Sequence, residues 1–452
     1  MPIRVSFVTI LRLLGMAVRH GGLLVTLNYS QPIPRTLDGK RLAFWMLFAG
    51  TSLLMVYVRT MVAFDAHPLF ITYVWAVAVT IILRYIFYSI YNPDLFDYGE
   101  YEPTVCIIVP AKNESEAIYE TAKSLNEIDY PREKISVIMV NDGSDDDTGE
   151  WLNKISQEFD FQAIHLEENL GKRAAITEAM RDNLSEITVL VDSDSGLESQ
   201  ALKQGLRGFL SPNVAGVCGH TDVANTEDTW LTRMQSQQYF IAFKTFKSLE
   251  GYFRSVICCS GAFSLYRTEC IRPLIDEWNT QIFLGKNRTF GDDRGLTNLL
   301  LRDGYDTIYV PEAKARTIVP QNLRIYIKQQ LRWRRSFLME SISGLKHMWR
   351  RPLPASLMFH LVLGLTILSP FVVSYFLIIG PVFQDFNPLI YIAGLALIIF
   401  MHQTFYWAFQ LPPAGKVGFF SLMPMLPVWI FFTLILLPWA ILTIRNSGWG
   451  TR

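Results

Sequence analysis

The hydrophobic pattern divides this chain into three parts. Apolar residues crowd both ends, and the middle alternates short apolar runs with amphipathic ones. Near the start, residues 42–64 and 69–91 are each long enough to cross a bilayer, which takes about 20 apolar residues. Asp65-Ala66-His67-Pro68 joins them tightly, so the pair reads as a helical hairpin. Ahead of it, residues 3–27 carry Arg4, Arg12 and Arg19 deep within an apolar run, which fits an amphipathic helix lying on a membrane surface rather than a span or a signal peptide. At the far end, 355–382 and 389–411 read as two more spans. Residues 419–444 are apolar but interrupted by Pro424, Pro427 and Pro438, a density that suggests a broken or re-entrant segment.

From about Tyr101 the texture changes to alternating strands and helices. Strands are expected at 104–110, 135–140, 161–166, 188–191 and 256–266, with helices at 114–126, 151–159 and 171–181. Such alternation predicts a mostly parallel sheet with helices on both faces. Neither a GxGxxG nor a GxxxxGK[ST] is present, so the usual dinucleotide and P-loop fingerprints are missing.

Charge adds an orientation. Basic residues outnumber acidic ones before the hairpin (Arg4, Arg12, Arg19, Arg35, Lys40 and Arg41 against Asp38), so the positive-inside rule places the N-terminus and the middle region in the cytoplasm. Arg59 and Arg84 fall inside the spans away from their centres, where snorkelling is the default reading. The net charge of +0 gives no basic field for nucleic acid. The five cysteines, all in the middle part and without metal-ligand spacing, read as reduced thiols.

Several local patterns could carry chemistry. Val189–Ser195 reads as a strand ending in Asp192 and Asp194, which strand alternation would point to one side. Paired carboxylates at the carboxyl end of a strand suit Mg²⁺ or Mn²⁺, although a polar turn has the same spelling. Asp142, in Asn141-Asp142-Gly143-Ser144, is either a turn residue or a carboxylate able to accept from a nucleobase. Lys172, in Asn169-Leu170-Gly171-Lys172-Arg173, opens a helix whose exposed amides favour anions. Gly261, after Cys258-Cys259-Ser260, suggests a close backbone approach within a buried strand. Asp292 and Asp293 could cap a helix, or Asp293 could be a general base. Gln329, Arg332 and Trp333 share a helix face, offering a fork for a diphosphate and a ring for a sugar.

The order of these signals resembles the processive family 2 glycosyltransferases, over about residues 100–340 and on into the membrane part. GDDRGLTN, KQQLRWRRS and the final Trp449-Gly450-Thr451-Arg452 look most like bacterial hyaluronan synthases; NLGKR, DTWLT and the CC-x-G segment look like the chitin-oligosaccharide synthases of nodulation. The resemblance implies an α/β GT-A glycosyltransferase domain inserted between N- and C-terminal transmembrane helices. It implies a UDP-sugar donor and a growing polysaccharide acceptor, with hyaluronan the first expected product and a chitin oligosaccharide or other exopolysaccharide the alternative. Carried over by position, Asp142 would contact the uracil, Lys172 would lie near the bound nucleotide-sugar, Arg332 would help frame the diphosphate, and Asp194 with Asp192 would hold the Mg²⁺ or Mn²⁺. Asp293 would be the base. Cys258, Cys259, Gln329 and Trp333 would frame the acceptor, and Trp449–Arg452 would form a gating tail. The implied layout is a cytoplasmic catalytic domain at 100–320, interfacial helices at 321–352, and membrane lipids around the rest, through which the polymer is threaded. Asn141, Ala262 and Gly295 depart from the usual Asp, Pro and His or Cys, which bears on pocket shape and therefore on the choice of sugar.

Overall fold

The computed structural model describes residues 39–62, 68–93, 101–383, 387–410 and 421–446. The amphipathic segment at 3–27 and the Trp449–Arg452 tail lie outside the described residues. The central sheet has eight strands: β1 Val105–Ala111, β2 Ile135–Asp142, β3 Gln162–Leu166, β4 Ile187–Leu190, β5 Ser195–Leu197, β6 Val214–Val223, β7 Ser264–Arg267 and β10 Asp306–Thr317. Its order is β3-β2-β1-β4-β7-β6-β10-β5, and β8 (Ile282–Phe283) with β9 (Lys286–Asn287) makes a separate hairpin.

Both faces of the sheet are covered, which explains why β1 reads as a continuous apolar run instead of an alternation. Val105, Ile107, Val109 and Ala111 pack with Ile118, Ala122, Leu125 and Leu152 on one face. Cys106 and Ile108 pack with Ala175, Ile176 and Trp278 on the other. Pairing is parallel for β1–β2, β2–β3, β1–β4 and β6–β10. It is antiparallel around β7 and at the β10–β5 edge.

The expected strand at 256–266 forms only over Ser264–Arg267; Cys258–Gly261 is a loop. Its residues find partners in side chains on neighbouring helices instead of in a strand ladder. The chain also leaves the β4 line at Val191 to reach β10 through β5, where Ser195 pairs with Thr317. Asp192 and Asp194 therefore sit in a turn beyond the strand, and strand alternation does not set their directions.

Among the described residues, four helices are long and apolar enough to cross a membrane: Thr72–Ile90, Leu353–Phe383, Pro388–Phe409 and Met425–Leu442. The first helix of the expected hairpin is present as Gly39–Val62 and packs by Phe44 onto Phe405 and Phe409 of Pro388–Phe409, at ring distances of 5.4 and 5.2 Å. The proline-rich segment is not broken: Met425–Leu442 is one helical rod with a π turn at Phe432–Leu436, the usual way a helix absorbs an irregularity. Arg84 does not snorkel; its guanidinium lies 3.5 Å from the ring centroid of Phe246. Tyr91, just past the Pro68–Ile90 helix, ties this region to the sheet by donating to the Tyr309 carbonyl at 2.5 Å.

Candidate active site

The site forms at the carboxyl ends of β1, β2 and β4, where open α/β sheets hold ligands. Asp142 ends β2, and its carboxylate accepts from the Leu170 and Gly171 amides at 2.8 and 3.0 Å. Those bonds close the turn that starts the Lys172–Arg181 helix, where Gly171 has φ 91°. Burial raises the Asp142 pKa, against the pull of the two amides and Lys112. Asn141 serves the turn reading, accepting from the Ser144 amide at 2.9 Å.

So positioned, Lys172 forms an ion pair with Asp192. Asp194 follows in the same turn and accepts from Thr317 Oγ1 at 3.2 Å. Gly261 packs on the Lys172–Asp192 pair: a Cβ there would lie 3.0 Å from Asp192 Oδ1 and 3.1 Å from Lys172 Nζ. The close approach expected at Gly261 is present, made by a loop and not by a strand.

The same loop reaches Asp293. Cys258 Sγ donates to Asp293 Oδ2 at 3.2 Å, and the Arg294 amide donates to Oδ1 at 2.8 Å. Burial pushes the Asp293 carboxyl up, but Arg294, the Cys258 S–H and Lys172 outweigh it and hold the pKa below its ordinary value. Asp293 is thus an ionised acceptor at neutral pH. Cys259, expected at the acceptor, is fully buried in the core, and its amide donates to Thr297 Oγ1 at 3.0 Å.

Asp292 has a different task from its neighbour. It accepts from Arg173 Nε at 2.9 Å, and Arg173 also donates to the Trp278 carbonyl and to Gln281 Oε1 at 2.7 and 2.9 Å. Arg288 bonds Glu340 at 2.8 Å, tying the start of the Asp292–Arg302 helix to the Leu323–Gly344 helix. Arg173 is the residue sequence reasoning missed, since beside Lys172 it reads as one more surface cation. Gly295 has its reason here: a Cβ would come 2.8 Å from Arg173 Nη2.

Trp333 lies on the Leu323–Gly344 helix, 40% exposed, with its ring 6.1 Å from that of Tyr239. Burial and the nearby charges of Asp194 and Asp192 raise the Tyr239 pKa, while Arg332 opposes them. No motif marked Tyr239, which packs against Trp333. Gln329, on that helix, keeps a buried Oε1 without a protein partner among the described residues. Arg334 stacks 4.3 Å over Phe432, and Arg335 donates to Thr443 Oγ1 at 2.7 Å. The loop at 258–261 thus touches both Asp293 and the Lys172–Asp192 pair, Asp194 lies in the same turn as Asp192, and Trp333 packs beside Tyr239.

A divalent ion fits this donor set. Asp192 keeps about a third of its side chain exposed (34%), Asp194 adds a second carboxylate in the same turn, and such ions commonly take one or two carboxylates and complete their shell with water and substrate phosphate. No group of three or more His, Cys, Asp or Glu side chains able to hold a metal occurs among the described residues.

Comparison with known proteins gives the family and the fold. Residues 103–336 match the model for Glycosyltransferase like family 2. An N-acetylglucosaminyltransferase of Azorhizobium caulinodans is 38% identical over 54% of this chain, and the match spans 62% of that relative's length. One of Rhizobium meliloti is 31% identical over 77% of this chain and 82% of its own length. Among solved structures, a mannosyltransferase of Pyrobaculum calidifontis in complex with GDP-Man and Mn²⁺ superposes with a TM-score of 0.58, covering 83% of this chain and 98% of its own; at 18% identity it speaks for the fold alone. With the family model spanning the sheet, the aspartates and the Gln-x-x-Arg-Trp helix, this chain belongs to the family 2 glycosyltransferases, with a GT-A-like domain between long apolar helices.

Proposed function

We propose that this protein is a membrane-embedded, inverting N-acetylglucosaminyltransferase that uses UDP-GlcNAc to extend a β-linked N-acetylglucosamine oligosaccharide. The observation that carries the reading is a single loop whose Cys258 bonds Asp293 and whose Gly261 lies against the Lys172–Asp192 pair. The relatives' activity favours a single N-acetylglucosamine donor over the two donors that hyaluronan requires.

Asp194 with Asp192 would hold Mg²⁺ or Mn²⁺, which when bound supplies charge neutralisation for the donor diphosphate. Lys172 and Arg332 bind the diphosphate, and Asp142 lends its remaining lone pairs to the base. Gln329 and Trp333 orient the acceptor sugar, Trp333 through its ring face. Asp293 takes the proton of the acceptor hydroxyl as that oxygen attacks C1, and the C1–O bond breaks with its electron pair leaving on UDP. One base suffices for inversion, whereas double displacement would need a nucleophilic carboxylate as well. The helix at Leu323–Gly344 lies at the membrane interface, and the apolar helices guide the product through the bilayer.

The test is purified protein with Mg²⁺ or Mn²⁺ and UDP-sugars, singly and in pairs. UDP-GlcNAc alone is expected to give a chain of N-acetylglucosamine. An absolute need for UDP-GlcA as well would overturn this reading in favour of hyaluronan.

A further inference from the structure

We propose that Cys258 is a positioning residue for the base: its S–H holds one oxygen of Asp293 so that the carboxylate keeps a fixed face toward the acceptor hydroxyl. The assignment rests on the reading of Asp293 as base and goes beyond it, because it moves Cys258 from the acceptor to the catalytic carboxylate.

The Arg294 amide fixes only Oδ1, and it comes from the residue next to Asp293 itself. A carboxylate held at one oxygen can still rotate. The hold on Oδ2 comes from across the cleft, at a separation of 3.2 Å. The loop bearing that thiol is itself tied down. The Lys247 ammonium takes the Cys258 carbonyl, and the Cys259 amide donates to Thr297 Oγ1. The Thr297 hydroxyl in turn donates to the Asp293 carbonyl at 2.6 Å. Three residues further on, Gly261 lies against Lys172 and Asp192. One short loop therefore touches the base at one end and the donor-side ion pair at the other.

A thiol suits the task. It is a weak donor, so it can orient a carboxylate without displacing the proton that the base must accept. Burial and the neighbouring Asp293 charge push the Cys258 pKa up, so the group stays an S–H donor. The other charges around the pair are Lys172 from its own helix, Arg294 on the base helix, and Lys247 behind the thiol, with Glu250 beside Lys247 and Arg294.

The experiment compares wild type, Cys258→Ala and Cys258→Ser as purified full-length protein, measuring kcat, the KM of each substrate and UDP affinity across a pH series. Losing a hydrogen bond to a charged group is expected to lower kcat about tenfold in Cys258→Ala. Donor KM and UDP affinity should hold, and the acid limb of the pH profile should move to higher pH, because a donor that favours the carboxylate is gone. Cys258→Ser, which keeps a donor, should restore most of kcat and return the limb. An unmoved kcat and limb in the alanine variant would overturn the proposal. A raised acceptor KM with an unmoved limb would overturn it in favour of acceptor contact, and lost UDP affinity would reduce Cys258 to a structural role. Wild type that transfers from no UDP-sugar would instead sink the functional reading, before any variant is compared.

Discussion

The two sides of the cleft are built to different standards. On the base side, Arg173 is 3% exposed and spends its guanidinium on Asp292, the Trp278 carbonyl and Gln281. Glu340, 2% exposed, answers Arg288, and Asn298 donates to the Glu340 carbonyl at 2.8 Å. On the donor side, Asp192 is 34% exposed with Lys172 as its partner, and Asp194 takes the hydroxyls of Thr317 and Ser195. The proposed function accounts for the difference: proton transfer tolerates little misplacement, which suits a buried network beside the proposed base. A nucleotide-sugar brings its own charges and must leave each cycle, which suits accessible groups that can change partners on the proposed donor side.

Substitutions should separate the two sides. Asp293→Asn removes the base alone and is expected to cut transfer by about 10²–10⁴-fold, with UDP affinity by calorimetry near wild type. A parallel loss of UDP binding would mean that the sides are not independent. Arg173→Met breaks a buried pair and strands Asp292, which typically costs about 3–5 kcal/mol; urea denaturation should register it as a lower midpoint. An unchanged midpoint would show the base side to be less firmly held than its geometry suggests. Gly261→Ala tests the softer side. Its Cβ would meet Asp192 and Lys172 at 3.0 and 3.1 Å, contacts that flexible side-chain ends can relieve. A few-fold rise in donor KM is expected, with stability within about 0.5 kcal/mol of wild type. A large stability loss would show that the donor side is as rigid as the base side.

Much of this was legible beforehand, for identifiable reasons. Strands β1 to β4 could be read because continuous apolar runs bounded by turn residues have few other uses in an alternating pattern. Asp142, Asp194, Asp293 and Trp333 stood out through the order of the short motifs that carry them, Asp-Gly, Asp-x-Asp, Gly-Asp-Asp and Gln-x-x-Arg-Trp. The run at 256–266 misled, since an apolar loop packed on helices has the composition of a buried strand. Met425–Leu442 misled in the other direction: three prolines suggested a break, but Pro424 and Pro427 fall at the start of the rod and a π turn precedes Pro438.

By itself, the sequence determined the alternation of elements, the apolar helices at both ends and the order of the chemistry-bearing residues, because periodicity and turn chemistry are local. Only the tertiary structure decided what each of those residues does. Arg173 reaches Asp292 across 119 positions and Cys258 reaches Asp293 across 35. Such pairings depend on which side chains become buried together and must satisfy one another there. Two adjacent cations, Lys172 and Arg173, thereby came to pair with different carboxylates, Asp192 and Asp292.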